Sequence, residues 1–218
     1  MMNEAVVTRS FQAGEIRASV SEGESENYVI EGHPAIYSEV TNIGNYFREV
    51  IEPGAFDNTN MDDVLFCVNH ELRKIPLARS RRNNGNSTMH LTTDRKGLHM
   101  RAEVDVENNA EAKAVYNSIK RGDMTGMSFM FRIGEAEWEN LESELPTRRI
   151  KSVSRITEVS AVNFPAYEGT DIDARDRDAL DNARLALENA REPELENSRN
   201  DELEVLQLRN QILMKMED

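Results

Sequence analysis

An alternation of apolar and polar residues runs through residues 87–106, STMHLTTDRKGLHMRAEVDV. The apolar positions on its two arms are Met89, Leu91, Leu98, Met100, Ala102 and Val104. Because successive side chains of a strand point to opposite faces of a sheet, this period of two predicts a β-hairpin around the turn DRKG. Similar short strands, broken by Gly and Pro, are predicted along most of the chain.

Residues 5–175 contain these strands and one predicted helix. The helix is NNAEAKAVYNSIKRGD, with an Asn cap at its start, two basic residues in its last turn and Gly122 as its stop. DDVLFCVNH predicts a buried strand that ends at His70, and YVIEG predicts one that ends at Gly32. Two further strands, MTGMSFMFRI and RRIKSVSRITEVSAVNFPA, flank a charged segment, residues 135–149, that we expect to be exposed. The pattern predicts an α+β fold dominated by a β-barrel or a β-sandwich.

The C-terminal end differs in composition from the rest of the chain. Residues 176–218 hold twelve Asp or Glu, six Lys or Arg, and no aromatic residue. Two helical patterns, DRDALDNARLALENA and DELEVLQLRNQILMKM, predict an acidic, helix-prone tail that needs a partner surface to fold fully. We therefore divide the chain into a domain at residues 5–175 and a tail at residues 176–218.

Charge and cysteine content exclude several classes of protein. The net charge is −14 and the pI about 4.8, whereas phosphate binding needs clustered Lys and Arg, so nucleic acid is not expected as a partner. The single cysteine, Cys67, excludes an internal disulfide and a cysteine-rich zinc site. No window approaches the roughly 20 apolar residues of a membrane span, so we expect a soluble, intracellular protein. The basic stretch RKIPLARSRR keeps a nucleic-acid-binding or partner-binding β-barrel open as an alternative.

The four histidines occupy different positions in these patterns. His90 and His99 alternate with the apolar residues of the hairpin and are expected to face solvent. His33, in EGHPA, is assigned to a turn. His70 ends the most apolar strand, on the same face as its large apolar residues, where a core or capping role is the simplest interpretation. Cys67 lies three residues earlier, so alternation places it on the other face, and we expect it in the core.

Ser128 lies among apolar residues in GDMTGMSFMF. Strand alternation places the neighbouring Met127 and Phe129 on one face and Ser128 beside Gly126 on the other. Because Gly126 has no side chain, it leaves room there for another backbone or for a substrate. A serine in a strand usually has no catalytic role, because its hydroxyl is easily hydrogen-bonded or solvated. This stretch is also not a G-x-S-x-G elbow, so the segment alone does not identify a nucleophile.

Glu158 lies inside the apolar strand RITEVSAVNFPA, where a carboxylate needs a partner or solvent. A histidine would supply that partner. Ser160 shares the face of Glu158 and is a rival nucleophile on pattern alone. Since a Ser–His–carboxylate triad depends on geometry and not on chain order, His70, Ser128 and Glu158 can be combined, but so can other trios.

Five segments together resemble the prohead proteases of tailed bacteriophages: REVIEPGAF, VLFCVNHE, DRKGLHMRAEVD, IKRGDMTGMSFMFRI and RITEVSAVNFPAYEGTDI. They occur in the family's order and at similar spacing over residues 28–175. The resemblance implies a serine endopeptidase with a compact β-barrel fold like that of herpesvirus assemblins, with flanking helices. It implies Ser128 as the nucleophile and His70 as the histidine of the N-H-D/E motif. Glu158 falls where this fold has its third triad residue, and Met130 departs from the family's frequent glycine.

The resemblance also implies a substrate and a place of action. Such enzymes cleave scaffold, or the scaffold-like part of the major capsid protein, and often themselves, inside the assembling procapsid in the host cytoplasm. No metal or cofactor is expected, and the resemblance is compatible with a homo-oligomer. Backbone N–H groups are the expected oxyanion donors, with Arg148 or Arg149 as further candidates. The tail suits a segment that tethers the enzyme in the shell or is removed by self-cleavage. The alternative is an inactive capsid-assembly or scaffold module with the same barrel.

Overall fold

The structure is a computed structural model, which describes residues 6–11, 16–21, 27–43, 45–163, 184–193 and 203. The described chain is mostly β-strand, with two α-helical segments. The strands are β1 (Val6–Phe11), β2 (Arg17–Ser21), β3 (Asn27–Ile36), β4 (Val40–Ile43), β5 (Phe47–Ile51), β6 (Leu65–Val68), β7 (Ala78–Arg79), β8 (Met89–Thr93), β9 (Gly97–Glu103), β10 (Gly126–Glu139) and β11 (Thr147–Val162). Helix α1 covers Ala110–Arg121, a short 3₁₀ helix covers Arg81–Asn83, and residues 184–193 are helical.

The described strands form two sheets. The first has the order β1-β10-β11-β5-β4, and β6 also pairs with β11 and with β7. The second has the order β2-β3-β9-β8. The long strand β11 pairs in parallel with two others, because residues 147–150 lie beside β5 and residues 158–161 lie beside β6. The α+β class is confirmed, whereas the pairings among the described strands give two sheets and no closed barrel.

One hydrophobic core joins the two sheets. Phe129 and Phe131 of β10 stack with their ring centroids 4.5 Å apart, and Phe56 packs edge-on against Phe129. Leu98 and Met100 of β9 are fully buried in the same cluster. Both alternating patterns, in the hairpin β8–β9 and in the strand of Ser128, are therefore confirmed on their apolar sides.

Helix α1 begins and ends as its sequence predicts. The Asn109 side chain accepts hydrogen bonds from the N–H groups of Glu111 and Ala112, which otherwise lack helical partners. Gly122 closes the helix with a left-handed φ of 79°. Only three residues then separate the helix cap from β10, so α1 delivers the chain directly to the strand of Ser128.

The strand predicted to end at Gly32 continues to Ile36. A register irregularity between Gly32 and Ala35 lets the chain carry a proline inside the strand, since a bulge does not require every N–H group. The assignment of His33 to a turn is therefore wrong: His33 lies in β3, is buried, and donates from Nε2 to Asp94 Oδ2 at 2.8 Å. Burial raises the pKa of Asp94, but hydrogen bonds from His33 and from two backbone N–H groups outweigh burial and lower it to about 2.

The two hairpin histidines differ from each other in exposure. His90 is exposed as predicted, whereas His99 is half-buried with its ring centroid 5.0 Å from that of His33. Burial lowers the pKa of His99, and a neighbouring charge on His33 would lower it further. The solvent-facing prediction therefore holds fully for His90 only.

The charged segment at residues 135–149, expected to be exposed, forms a hairpin in which Arg148 is buried. β10 extends through Glu139 and β11 begins at Thr147, with cross-strand ion pairs that join Lys151 to Glu137 and Arg149 to Glu139. In the strand register each of these pairs is a diagonal one, and opposite charges at diagonal positions stabilise the pairing, which explains why a charged segment forms strands.

The helical segment at residues 184–193 packs against this hairpin. Leu187 is buried against Ile43 and Phe47, and the Arg191 guanidinium donates to the carbonyl oxygens of Leu141 and Ser143. The boundary at 175/176 and nearly all of the second helical pattern lie outside the described residues. No helix of the described chain is long and apolar enough to cross a membrane.

Candidate active site

Three neighbouring strands bring the candidate residues to one face of the first sheet. Ser128 of β10 lies opposite Ser160 of β11, and Ser160 lies beside Cys67 of β6. Residues paired in this way share a face, and the alternate residues on the opposite face, such as Phe129 and Val159, belong to the core. The polar face of these strands therefore carries a row of side chains, separate from the core.

The carboxylate and the histidine are in direct contact. His70 Nδ1 lies 2.6 Å from Glu158 Oε2, and Glu158 is fully buried. Because an ionised carboxylate only accepts hydrogen bonds, Nδ1 carries the hydrogen of this bond. Nε2 is then the nitrogen that can take a proton, as a general base requires.

A turn in an uncommon backbone conformation sets the direction of the histidine. Asn69 and His70 both have left-handed φ values, 47° and 59°. The Asn69 N–H donates to the Ala161 carbonyl oxygen, and the Asn69 side chain accepts from the Asn163 N–H. Non-glycine residues rarely adopt this conformation without support from surrounding contacts.

This turn corrects one prediction. Simple alternation placed His70 on the face of the large apolar residues of β6, but β6 ends at Val68 and the left-handed turn carries the imidazole to Glu158 instead. A strand pattern extended through His70 could not show this reversal, because the turn depends on contacts with β11.

Ser160 contacts both the carboxylate and the histidine. Its hydroxyl donates to Glu158 Oε1, and its Oγ accepts from the His70 N–H at 3.0 Å. Ser160 is fully buried. Pattern alone presented it only as a rival nucleophile; the spacing of two residues from Glu158, which puts both on one face, was the signal for a shared role.

Ser128 lies on the strand next to this group. It is fully buried and faces Ser160 across the β10–β11 pair, where opposite residues have Cβ atoms about 5 Å apart. Gly126 precedes it on the same side of the strand, as predicted. The nucleophile candidate is thus adjacent, in register, to the serine that contacts both His70 and Glu158.

Cys67 is buried as predicted, on the side of Ser160. Burial raises the pKa of its thiol to about 12, with a further contribution from the nearby charge of Glu158. Since the thiolate is the nucleophilic form, this thiol is unreactive at neutral pH. Cys67 is therefore not an alternative to Ser128 as the candidate nucleophile.

The two arginines considered as oxyanion helpers lie elsewhere. Arg148 pairs with Trp138 and Glu158 with Met130, so eight residues of β10, at about 3.3 Å each, put the two about 26 Å apart along the sheet. It forms a buried ion pair with Glu49, and Arg149 pairs with Glu139. The structure removes both from the site. Among the described side chains, no group of three or more His, Cys, Asp or Glu residues could hold a metal ion.

Comparison with known proteins gives two matches. The model of the family described as caudovirus prohead serine protease matches residues 14–183, more than half of the chain. Among solved structures, the chain is similar to the bacteriophage T4 capsid assembly protease, gp21, at 12% sequence identity and a TM-score of 0.42, over 73% of this chain and 98% of that chain. A comparison with curated proteins finds no match.

Proposed function

The chain belongs to the caudovirus prohead serine protease family, and on that premise we propose that Ser128, His70 and Glu158 are its catalytic triad. The family makes the protein a serine protease of phage capsid maturation. One observation carries the proposal for the residues: His70 and Glu158 are hydrogen-bonded at 2.6 Å on the face of the sheet that also carries Ser128. The other hydrogen bond between a described histidine and a carboxylate, His33 with Asp94, lies in the second sheet, which does not contain Ser128.

We assign one step of the reaction to each of the three residues. His70 accepts the proton of the Ser128 hydroxyl through Nε2 as the oxygen attacks the peptide carbonyl, and then donates it to the leaving amine. Glu158 keeps the hydrogen of the imidazole on Nδ1 and stabilises the imidazolium as it forms. Backbone N–H groups are the proposed oxyanion donors, since neither Arg148 nor Arg149 lies near the triad.

The family supports a proposal for the substrate. We propose that the enzyme cleaves scaffold, or the scaffold-like part of the major capsid protein, together with its own chain, inside the assembling procapsid. The presence of all three candidate triad residues, with His70 hydrogen-bonded to Glu158, argues against the alternative of an inactive assembly module. Two cations of the basic stretch, Lys74 and Arg79, form ion pairs with Glu111 and Asp63, which weakens the nucleic-acid alternative.

The test is co-expression with the major capsid protein of the same phage, read by mass spectrometry. Ser128→Ala should lower cleavage by about 10⁴-fold or more, because the nucleophile is lost while the fold is kept. Ser19→Ala, a change at an exposed serine of β2, is the matched control and should process normally. The same spectra report self-cleavage as a shortened chain in the native protein only. Unchanged processing by the Ser128→Ala variant would refute the triad.

A further inference from the structure

We propose that Ser160 is a positioning residue that holds the general base and its carboxylate in one arrangement. The proposal rests on the triad proposed above and assigns a fourth residue to the same reaction. Ser160 is fully buried on β11, two residues after Glu158 and opposite Ser128. Its hydroxyl bonds to both of the groups that must be aligned for proton transfer, His70 and Glu158.

The first contact fixes the carboxylate. Glu158 Oε2 accepts from His70 Nδ1, and Glu158 Oε1 accepts from the Ser160 hydroxyl. The terminal torsion of a glutamate is broad and roughly two-fold, so a single hydrogen bond allows the carboxylate plane to rotate. A donor on each oxygen restricts that rotation and keeps Oε2 directed at the imidazole.

The second contact fixes the backbone that carries the imidazole. Ser160 Oγ accepts the N–H of His70, whose φ of 59° is unusual for a residue with a side chain. Such a conformation persists only where neighbouring contacts stabilise it. Since Ser160 is fully buried, solvent does not replace its hydroxyl, and its loss would leave the buried Glu158 carboxylate and the half-buried His70 N–H each with one fewer partner.

These two contacts also separate the roles of the two serines. A hydroxyl has one hydrogen to donate, and Ser160 donates it to Glu158. A nucleophilic serine must instead give its hydrogen to the histidine base. Ser160 therefore orients His70 and Glu158, and Ser128 on the facing strand is the nucleophile.

The experiment measures kcat and KM of the full-length enzyme on a peptide substrate for Ser160→Ala, Ser160→Thr and Ser160→Cys. Ser160→Ala should lower kcat by about 10- to 100-fold, as expected for the loss of a hydrogen bond to a charged group, with KM within about twofold. Ser160→Thr retains the hydroxyl and should restore most of the loss. Ser160→Cys is nearly isosteric but has only a weak S–H donor, so its kcat should lie between those of the other two variants. It also gives a kcat to compare if Ser160→Ala does not fold.

A double-mutant cycle with Glu158→Gln shows whether Ser160 acts through the carboxylate. If it does, Ser160→Ala should cost much less in the Glu158→Gln background than in the native enzyme, because coupled residues are not additive. An equal loss in both backgrounds, or native kcat in Ser160→Ala, would overturn the proposal. A purely structural role predicts a lower melting temperature with kcat unchanged in the folded fraction, and that result would overturn it as well.

The Ser128→Ala variant separates this proposal from the one on which it rests. Loss of activity in Ser128→Ala with native kcat in Ser160→Ala would refute the positioning role alone. Activity retained in Ser128→Ala and abolished in Ser160→Ala would make Ser160 the nucleophile and refute both.

Discussion

Replacing Arg148 with methionine is expected to destabilise the protein strongly while leaving its catalytic constants unchanged. The guanidinium donates from Nε to Glu49 Oε2 at 2.9 Å and lies over the rings of Phe47 and Trp138, 4.8 and 5.5 Å from their centroids. Arg148 is 6% exposed and Glu49 2%. Removing one partner of a buried ion pair costs about 3–5 kcal/mol of the free energy of unfolding, because the remaining charge stays in a medium of low dielectric constant.

The adjacent arginine provides a matched control. Arg149 pairs with Glu139 at 2.7 Å, but its side chain is 37% exposed, so solvent screens the pair. Arg149→Met should therefore cost about 0–1 kcal/mol. For a protein of this size, where 1 kcal/mol corresponds to about 2–4 °C, the melting temperature should fall by about 6–20 °C for Arg148→Met and by no more than about 4 °C for Arg149→Met.

The assay combines thermal unfolding with kinetics measured well below both melting temperatures. Arg148 lies about 26 Å from Glu158 along the β10–β11 pair, so kcat/KM of the folded variant should equal that of the native enzyme. A second change, Glu49→Leu in the Arg148→Met background, should recover stability, since it removes the buried charge. Equal melting temperatures for the two arginine variants would refute the burial argument. A loss of kcat/KM in folded Arg148→Met would refute the separation from the site.

Two further predictions concern the tip of the β8–β9 hairpin. Gly97→Ala should lower the free energy of unfolding by about 1–3 kcal/mol or more, because the added Cβ would lie 2.1 Å from the Ala35 carbonyl oxygen. The control is Gly85→Ala, whose added Cβ would have no atom within 4 Å and which should unfold at the native temperature. Because the pKa of Asp94 is lowered to about 2 from its ordinary value of 3.8, the unfolded state binds the proton first as pH falls. The contribution of Asp94 to stability should therefore be complete above about pH 5 and be lost as pH falls from 4 to 2. Urea unfolding across that range should show a shallower loss in Asp94→Asn, and an unchanged slope would contradict the role given to the His33 bond.

Local sequence patterns predicted the elements that local forces determine. The Asn109 cap and the Gly122 stop set the bounds of α1, and period-two alternation gave the buried faces of β9 and β10. The same alternation placed Ser128 on the face opposite Phe129 and put Ser160 on the face of Glu158. These predictions depend only on neighbours in sequence.

Features that depend on distant contacts were missed. The direction of His70 comes from a left-handed turn held by Ser160 and Ala161, and no periodicity reports such a turn. The burial of His33 depends on Asp94, which lies 61 residues away. Arg148 was assigned to an exposed segment because charged residues are usually exposed. Its partner in the buried ion pair, Glu49, lies far away in the sequence, so no local pattern indicated the burial.

The parallel pairing of β6 with the end of β11 has a consequence for biosynthesis. His70 and Glu158 are 88 residues apart, and the serine that holds the His70 backbone follows Glu158. Long-range parallel pairing closes a large loop and forms late, since its entropy cost must be met before its contacts exist. While the ribosome has released only the chain that precedes β11, the nascent protein holds a histidine and a serine but no oriented base. If the proposed triad is correct, proteolytic competence requires that β11 has been synthesised and has paired with β6, and a chain truncated before Glu158 should lack activity.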